Sequence, residues 1–267
     1  PGDTLVLSGL PEPLSLAADE DAAYRNSARR AEDRNWWHDQ LAGLPNAVSR
    51  AACGHEYLRA RRELAPDLLA ALLTFARTHR LVWPDILRAL AGAYLARRSG
   101  GEAMIGLPYP ARIGERMAAA PCTIANVLPH YLQLDENAPL PDWLAAQSAR
   151  MAQGRHHGRY RSELLRRELG LTGRARLYGP VVKVQQFEKP PEFPGIDCRL
   201  HVLGTGAVED LTLTFRGEPP SGMVFDLDGN PALYSAEELQ DHGDRIEAFL
   251  AAALQADRLA RVPADHR

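Results

Sequence analysis

The sequence predicts an α/β fold in which a mixed β-sheet is covered by helices. Apolar residues recur at helical spacing in several segments, and short apolar or alternating runs typical of strands lie between them. Helices and strands do not alternate strictly along the chain, which favours a mixed sheet. A chain of 267 residues, 45% of them hydrophobic, is long enough to bury a substantial core in one large domain or two lobes.

The first third of the chain predicts helices around one strand. The periodicity of residues 22–44 predicts a single helix, and residues 55–64 alternate enough to form a strand. Pro66 and Pro84 each stand where proline commonly opens a helix, and apolar residues follow both at helical spacing. Two consecutive helices are therefore expected after the strand.

The middle of the chain combines two strands with two helices. Residues 102–110 and 124–134 are short and apolar enough to be strands of a covered sheet. Residues 139–151 predict an amphipathic helix, and a shorter helix over residues 162–169 is ended by Gly170.

Strands dominate the last third until a final helix. The predicted strands cover residues 178–187, 198–204, 208–217 and 222–229. The turn-rich sequence Glu-Pro-Pro-Ser separates the last two strands and predicts a hairpin. Ser235 and Glu238 have the spacing of a capping box, so the final helix is expected to begin there and to run toward Leu254.

Composition excludes several classes of function. The formal net charge is −3 and arginines are interspersed with acids, so nucleic acid is a poor candidate partner. No run reaches the roughly 18 apolar residues of a membrane helix, and the first residues lack the pattern of a secretory signal, so a soluble cytoplasmic protein is expected. Cys53, Cys122 and Cys198 are scattered, without metal-site or disulfide spacing.

A pair of adjacent histidines, His156 and His157, invites a catalytic interpretation. The acyltransferase motif is HHxxxDG, but Arg161 and Ser162 stand where that motif has Asp and Gly. Adjacent helical residues also point about 100° apart, so this pair cannot readily share a metal ion. A solvated or capping role is favoured over catalysis.

Two other patterns are similarly deceptive. Asp226, Asp228, Asn230 and Glu237 have the spacing of a calcium-binding loop, but Pro231 stands where that loop needs glycine. A turn that leads into a capped helix explains them. The glycines of residues 204–209 imitate a phosphate-binding loop, but a strand follows where that loop requires a helix.

Seven segments resemble, in the family's order, the condensation domains of nonribosomal peptide synthetases, whose fold is chloramphenicol acetyltransferase-like. They are LVWPDILRALAGAYLARRSG, MIGLPYPARIG, CTIANVLPHYLQLD, RHHGRYRSELLRRELGL, LYGPVVKVQQF, GTGAVEDLTLTFRG and FDLDGNPALYSAEEL. The fourth, fifth and sixth look most like starter-type domains of catechol siderophore synthetases, such as those of the enterobactin kind.

The resemblance implies amide formation between a carrier-bound acyl thioester and a carrier-bound aminoacyl group. No cofactor is expected to bind directly, because phosphopantetheine is presented by the donor and acceptor carrier domains. The implied partners also include an N-terminal condensation lobe, which would carry HHxxxDG, and a neighbouring adenylation domain. No catalytic residue is assigned here, because HHxxxDG is absent from these 267 residues. No metal is expected, because no cysteine or histidine spacing typical of a metal site occurs.

The resemblance also implies candidates for the wall of a substrate tunnel. Arg112 could anchor a carboxylate, or could be an exposed loop arginine. Asn126 matches the family's NxLP segment and could orient the pantetheine arm or a backbone turn. His130 stands where many relatives carry arginine and could instead be a strand residue that faces solvent. Gln186 lies at the end of its predicted strand.

Residues 203–210 resemble the family's floor loop, which closes the tunnel from beneath. Its glycines would let backbone approach closely, although an ordinary turn explains them too. The tunnel candidates in this loop are Gly204, Thr205, Gly206 and Asp210.

The implied organisation is a linker or trailing end over residues 1–30, a C-terminal condensation lobe over residues 31–256 and a C-terminal linker over residues 257–267. A rival hypothesis is a non-catalytic lobe that docks carrier proteins. An epimerisation domain of the same superfamily is disfavoured because IANVLPHYL looks condensation-like.

Overall fold

The computed structural model describes residues 13–48, 50–52, 54, 56–110, 125–186, 193, 195–196, 198, 202 and 206–263. The helices are α1 (Leu14–Arg25), α2 (Ala28–Leu41), α3 (Pro66–His79), α4 (Trp83–Arg97), α5 (Leu140–His156), α6 (Ser162–Glu168) and α7 (Ala236–Ala253). The strands are β1 (Ala47–Val48), β2 (Leu58–Glu63), β3 (Glu102–Pro110), β4 (Ala125–Gln133), β5 (Ala175–Arg176), β6 (Val181–Gln185), β7 (Leu211–Glu218) and β8 (Gly222–Gly229). Two 3₁₀ turns cover Pro219–Ser221 and Leu259–Arg261.

Six strands form one mixed sheet in the order β2-β8-β7-β6-β3-β4. Strands β3, β6 and β7 are parallel neighbours, while β4 pairs antiparallel with β3, and β8 pairs antiparallel with both β7 and β2. Strands β1 and β5 form a separate two-stranded pair. The predicted mixed sheet covered by helices is thereby confirmed.

Helix α4 lies at the centre of the core. It packs against α3, α5 and α7, and against β3, β4 and β6 of the sheet. Gly92 lies where α4 meets the sheet, and a Cβ atom there would come within 2.9 Å of the Leu132 side chain. The glycine therefore permits close contact between helix and sheet.

The N-terminal helical region differs from the sequence prediction. The single helix expected over residues 22–44 is two helices. Asn26 is the C-cap of the first, and Ser27 caps the second by accepting a hydrogen bond from the Arg30 backbone N–H. Helix α1 also occupies part of the expected linker, and its Tyr24 is buried, with its hydroxyl donating to Asp33. Residues 13–30 therefore belong to the fold; residues 1–12 lie outside the described residues.

The C-terminal segment likewise packs on the domain through residue 263. The Arg97 guanidinium donates to the Val262 carbonyl, and Leu259 is 1% exposed. The linker predicted over residues 257–267 is wrong for residues 257–263. The ion pair of Arg97 with Glu136 positions the donating guanidinium.

Most other predicted elements are confirmed, including the β7–β8 hairpin and the capping box between Ser235 and Glu238. Most of the strand expected over residues 198–204 lies outside the described residues. The small β1–β5 pair was not predicted, since two-residue strands leave no periodic pattern. None of the helices in the described part of the chain is long and apolar enough to span a membrane.

Gly106→Ala is expected to destabilise the protein by about 1–3 kcal/mol, because overpacking where β3 meets β6 forces neighbours to shift. A Cβ atom at residue 106 would lie 2.6–3.0 Å from Tyr178 ring atoms. Gly54→Ala is the matched control, since its Cβ would meet no atom nearer than 3.9 Å. Urea unfolding measures both variants, and equal free energies of unfolding would contradict the clash.

Candidate functional site

A cavity of about 600 Å³ opens at the edge of the sheet where the parallel strands β3 and β6 end. The end of α3, the start of α4, the end of β3 and one residue each from α5 and the end of β6 enclose it. Its lining residues are Leu73, Ala76, Arg77, Leu81, Val82, Trp83, Pro84, Asp85, Arg88, Leu107, Pro108, Tyr109, Arg155 and Gln186. The volume lies in the range of small-molecule sites, which span roughly 300–1,000 Å³.

The buried carboxylate of Asp85 organises the polar side of this cavity. Arg155 donates to both of its oxygens, at 2.9 and 3.0 Å. Arg88 donates to Oδ1 at 2.8 Å and the Ser148 hydroxyl donates to Oδ2 at 2.9 Å. These bonds fix two guanidinium groups from different helices beside one carboxylate.

Burial changes the protonation equilibria of two lining residues. Burial lowers the pKa of the Arg88 guanidinium, and Asp85 opposes only part of that effect. Burial also raises the pKa of Tyr109 to about 12, so this phenol stays neutral at physiological pH. The cavity therefore combines charged donors with a neutral phenol and apolar walls.

Asn126 lies beside this cavity, opposite Tyr109 in the β3–β4 register. Its amide nitrogen donates to the carbonyls of Gly158 and Tyr160, at 3.0 and 2.6 Å, and its oxygen accepts from the Ser162 N–H at 3.2 Å. The side chain thus holds the turn between α5 and α6, which is one of the two roles expected for it.

Of the two interpretations of His130, the one that makes it a solvent-facing strand residue is wrong, while its place in a tunnel stays a prediction. This residue lies in the middle of β4, 6% exposed, with Nε2 3.2 Å from Oε1 of Gln147. Burial, together with the nearby positive charge of Arg150, lowers the pKa of His130 to about 4 although the Gln147 contact opposes the shift. A neutral imidazole therefore lines a second cavity, of about 290 Å³, against Trp36 and Trp37.

The structure separates Gln186 from Asp210, two residues expected to line the same tunnel. Gln186 follows the end of β6, whereas Asp210 precedes the start of the parallel strand β7. The register places Gln186 level with residue 217, so at about 3.3 Å per residue Gln186 and Asp210 lie on the order of 20–25 Å apart. Asp210 accepts a hydrogen bond from Tyr234 at 2.8 Å and pairs with Arg50 at 3.3 Å.

The structure adds little information about the remaining tunnel candidates. Gly206 has a φ angle of 85°, in the region that favours glycine. Arg112, Gly204 and Thr205 lie outside the described residues.

The histidine pair is part of the scaffold. His157 caps α5; its Nδ1 lies 2.8 Å from the buried Asp33 carboxylate, and its ring stacks on Trp36 with centroids 4.5 Å apart. Its carbonyl accepts from the Trp37 indole N–H at 2.9 Å. His156 is exposed. The pair thus ties α5 to α2.

The calcium-like spacing also has a structural explanation. Asp226 pairs with Arg61 and Arg216, and Asp228 pairs with Arg59. The Asn230 amide donates to two backbone carbonyls. No group of metal-binding side chains occurs among the residues that the structure describes.

Sequence analysis missed the residues that build the cavity, above all Asp85, Arg88, Tyr109 and Arg155. Pro84 marks the start of a helix, and an acid followed by a base three positions later is an ordinary pattern on a helix surface. Arg155 comes from a helix 70 positions along the chain, so only the folded chain reveals the cluster.

The six-stranded mixed sheet, with helices packed on it and an open cavity at the strand ends, defines the chloramphenicol acetyltransferase-like class of fold. The chain belongs to the condensation-domain family of nonribosomal peptide synthetases, because the sequence model described as "Condensation domain" matches residues 12–259. Members of this family are acyltransferases that form amide bonds.

Curated relatives are large synthetases. The chain is 32% identical over 247 residues to a dimodular nonribosomal peptide synthase of Bacillus subtilis, matching 90% of this chain and 10% of that protein. It is 31% identical to an isonitrile lipopeptide synthase of Streptomyces coeruleorubidus, with 91% and 17% covered. Enterobactin synthase component F of Escherichia coli K12 is 25% identical, with 90% and 19% covered.

Solved condensation domains share the fold. The first condensation domain of the calcium-dependent antibiotic synthetase superposes with a TM-score of 0.88 at 25% identity, covering 97% of this chain and 59% of that one. VibH, a condensation enzyme, gives 0.83 at 27% identity, with 93% and 59% covered. The chain thus spans about three fifths of the solved domains and a tenth to a fifth of the curated relatives.

His157→Ala is expected to lower the free energy of unfolding by about 1–3 kcal/mol, because the buried Asp33 loses a hydrogen-bond partner. His156→Ala, at the adjacent exposed position, is the matched control and should change stability by less than about 0.5 kcal/mol. Urea denaturation measures both. Equal losses would show that His157 does not tie α5 to α2.

The buried His130 predicts a loss of stability in acid. Its folded-state pKa of about 4 lies below the value near 6.5 of an exposed histidine, so the unfolded chain binds a proton first. The contribution is fully present above pH 6.5 and falls by about 1.4 kcal/mol per unit as the pH drops toward 4. Urea denaturation from pH 7 to 4 should show that the free energy of unfolding falls less for His130→Gln than for the wild type. The control His156→Gln should match the wild type. Parallel curves for His130→Gln and the wild type would contradict the assignment.

Proposed function

We propose that this chain works in a nonribosomal peptide synthetase, where it supplies one wall of the tunnel in which an amide bond forms. The family match over residues 12–259 carries the proposal. Similarity to peptide and siderophore synthetases supports carrier-bound substrates, and a neighbouring adenylation domain would activate the amino acid.

The finer part of the proposal is that the chain is the C-terminal lobe of its condensation domain. The HHxxxDG motif would then come from an N-terminal lobe outside these 267 residues. The structural role of His157 supports this assignment of the motif to another lobe, since its side chain contacts Asp33 and Trp36 of α2. Coverage of about three fifths of solved condensation domains is consistent with it.

In the reaction, the amine of the acceptor aminoacyl group attacks the carbonyl carbon of the donor thioester. A C–N bond forms, the C–S bond breaks, and the donor's pantetheine thiol leaves. A histidine near neutrality suits the positioning of the amine or the handling of its proton, and that histidine is assigned to the N-terminal lobe.

The cavity at the ends of β3 and β6 is the part of this chain proposed to touch substrate. Gln186 and Tyr109 line it with neutral polar groups, and Asp85 orients Arg88 and Arg155. Fixed groups of this kind hold a reacting chain in one orientation and exclude water. Asn126 acts here as a positioning residue, because it holds the α5–α6 turn that follows Arg155.

The proposal predicts that the isolated chain forms no amide from an acyl-loaded donor carrier and an aminoacyl-loaded acceptor carrier. A version joined to an N-terminal condensation lobe that contains HHxxxDG should form product, which mass spectrometry detects. Exchanging the second histidine of that motif for alanine should lower the rate by about 10²–10⁴-fold if it acts as an acid–base group.

His156→Ala in this chain is the control and should leave product formation unchanged. Turnover by the isolated chain at the rate of the joined protein would overturn the division into lobes. Binding of carrier domains without product from the joined protein would instead favour the rival docking function, and racemised aminoacyl groups would indicate epimerisation.

A further inference from the structure

We infer that the cavity at the ends of β3 and β6 takes an acyl chain that ends in a carboxylate. The inference deepens the proposed function, because it assigns a substrate class to the same site. It rests on an excess of fixed positive charge within apolar walls.

The charges that line the cavity do not balance. Arg77, Arg88 and Arg155 contribute three cations, while Asp85 is the single acid among the described lining residues. Asp85 already accepts bonds from Arg88, from Ser148 and, on both oxygens, from Arg155, so its lone pairs are occupied. A ligand therefore meets the guanidinium groups, with the carboxylate acting as their anchor.

Arg88 and Arg155 are held in position by Asp85, whereas Arg77 is exposed. The Arg88 side chain is 19% exposed and therefore largely withdrawn from water, while that of Arg155 is 41% exposed. Charge interactions strengthen as the surroundings become less polar. A guanidinium also presents several N–H donors in a fork that matches a carboxylate, and the bonds to Asp85 restrain that fork.

The start of α4 adds to the same field. Val82, Trp83 and Pro84 line the cavity at the N-terminal end of a 15-residue helix, where the helix dipole favours negative charge. Because Asp85 occupies the first turn of α4, it satisfies part of this preference internally. The two nearby arginines leave the net field positive.

The rest of the lining is suited to hydrocarbon. Leu73, Leu81, Leu107 and Pro108 form apolar walls, and the Trp83 ring adds a large flat surface. Such walls favour a chain of methylene groups, because moving each methylene group from water into apolar surroundings lowers the free energy. An apolar chain with a terminal anion fits both halves of the cavity.

Isothermal titration of the 267-residue protein tests the inference without catalysis. The probes are two N-acetylcysteamine thioesters of equal chain length, the neutral octanoyl thioester and the octanedioyl monothioester, whose far end is a carboxylate. The octanedioyl probe should bind about tenfold more tightly at low salt, and added salt should narrow the difference. Equal affinity of the two probes would overturn the inference.

Arg88→Met removes one of the three cations and should reduce the preference for the octanedioyl probe. Arg167→Met, on the exposed side of α6, is the matched control and should keep the preference. If Arg88→Met does not fold, the two-probe comparison on the wild-type protein still decides the question. Quenching of tryptophan fluorescence by the bound probe should weaken in Trp83→Phe, which places the probe in this cavity.

An anionic ligand could also present its charge as the phosphate of a pantetheine arm. Free 4′-phosphopantetheine is therefore titrated alongside the thioesters. Tight binding of phosphopantetheine without a preference for the octanedioyl probe would overturn the assignment to a carboxylated acyl chain. These experiments measure binding alone. Equal affinity of the probes would therefore leave the proposal of amide formation standing, and a joined protein that forms no amide would leave the inferred ligand class standing.

Discussion

The burial of α4 on every side determines how the rest of the structure is arranged. Helices α3, α5 and α7 pack against it from one side and the sheet from the other, so almost all its side chains are apolar. A charged residue on such a helix needs partners within the protein, because burying an unpaired charge is strongly unfavourable. Asp85 has these partners in Arg88, Arg155 and Ser148, and the same bonds place two cations beside the cavity.

The two faces of the sheet carry different side chains, because successive residues of a strand point to opposite faces. On β8, Phe225 and Leu227 face the helices, while Asp226 and Asp228 alternate with them on the opposite face. Burial would raise the pKa of Asp226, but hydrogen bonds from Arg61 and Arg216 outweigh it and hold that pKa below its ordinary value. In the sequence, Asp226 and Asp228 have the spacing of a calcium-binding loop. In the structure, their ion pairs join β8 to β2 and β7.

Much of the fold could be predicted because its signals are local. Pro66 and Pro84 mark helix starts, and a capping box marks α7. The break between α1 and α2 escaped prediction because Ser27 acts as a cap within a sequence of otherwise continuous helical periodicity. The site was harder to foresee, since Asp85 and Arg155 meet only through packing. The parallel pairing of β6 with β7 puts Gln186 and Asp210 at opposite ends of these strands. The sequence left open whether His130 is buried or faces solvent, because one histidine in a strand carries no sign of which face it occupies.

Pro129 gives β4 a property that bears on whether the edge of the sheet can accept another strand. The Gly106 N–H donates to the carbonyl of Pro180, the residue before β6 on the other side of β3. The backbone nitrogen of the β4 partner of Gly106, Pro129, therefore points away from β3. Strand β4 is the last strand of the described sheet, and proline has no hydrogen to offer there. A further strand would find a missing donor at this edge, which discourages the sheets of two molecules from exchanging strands or growing into aggregates.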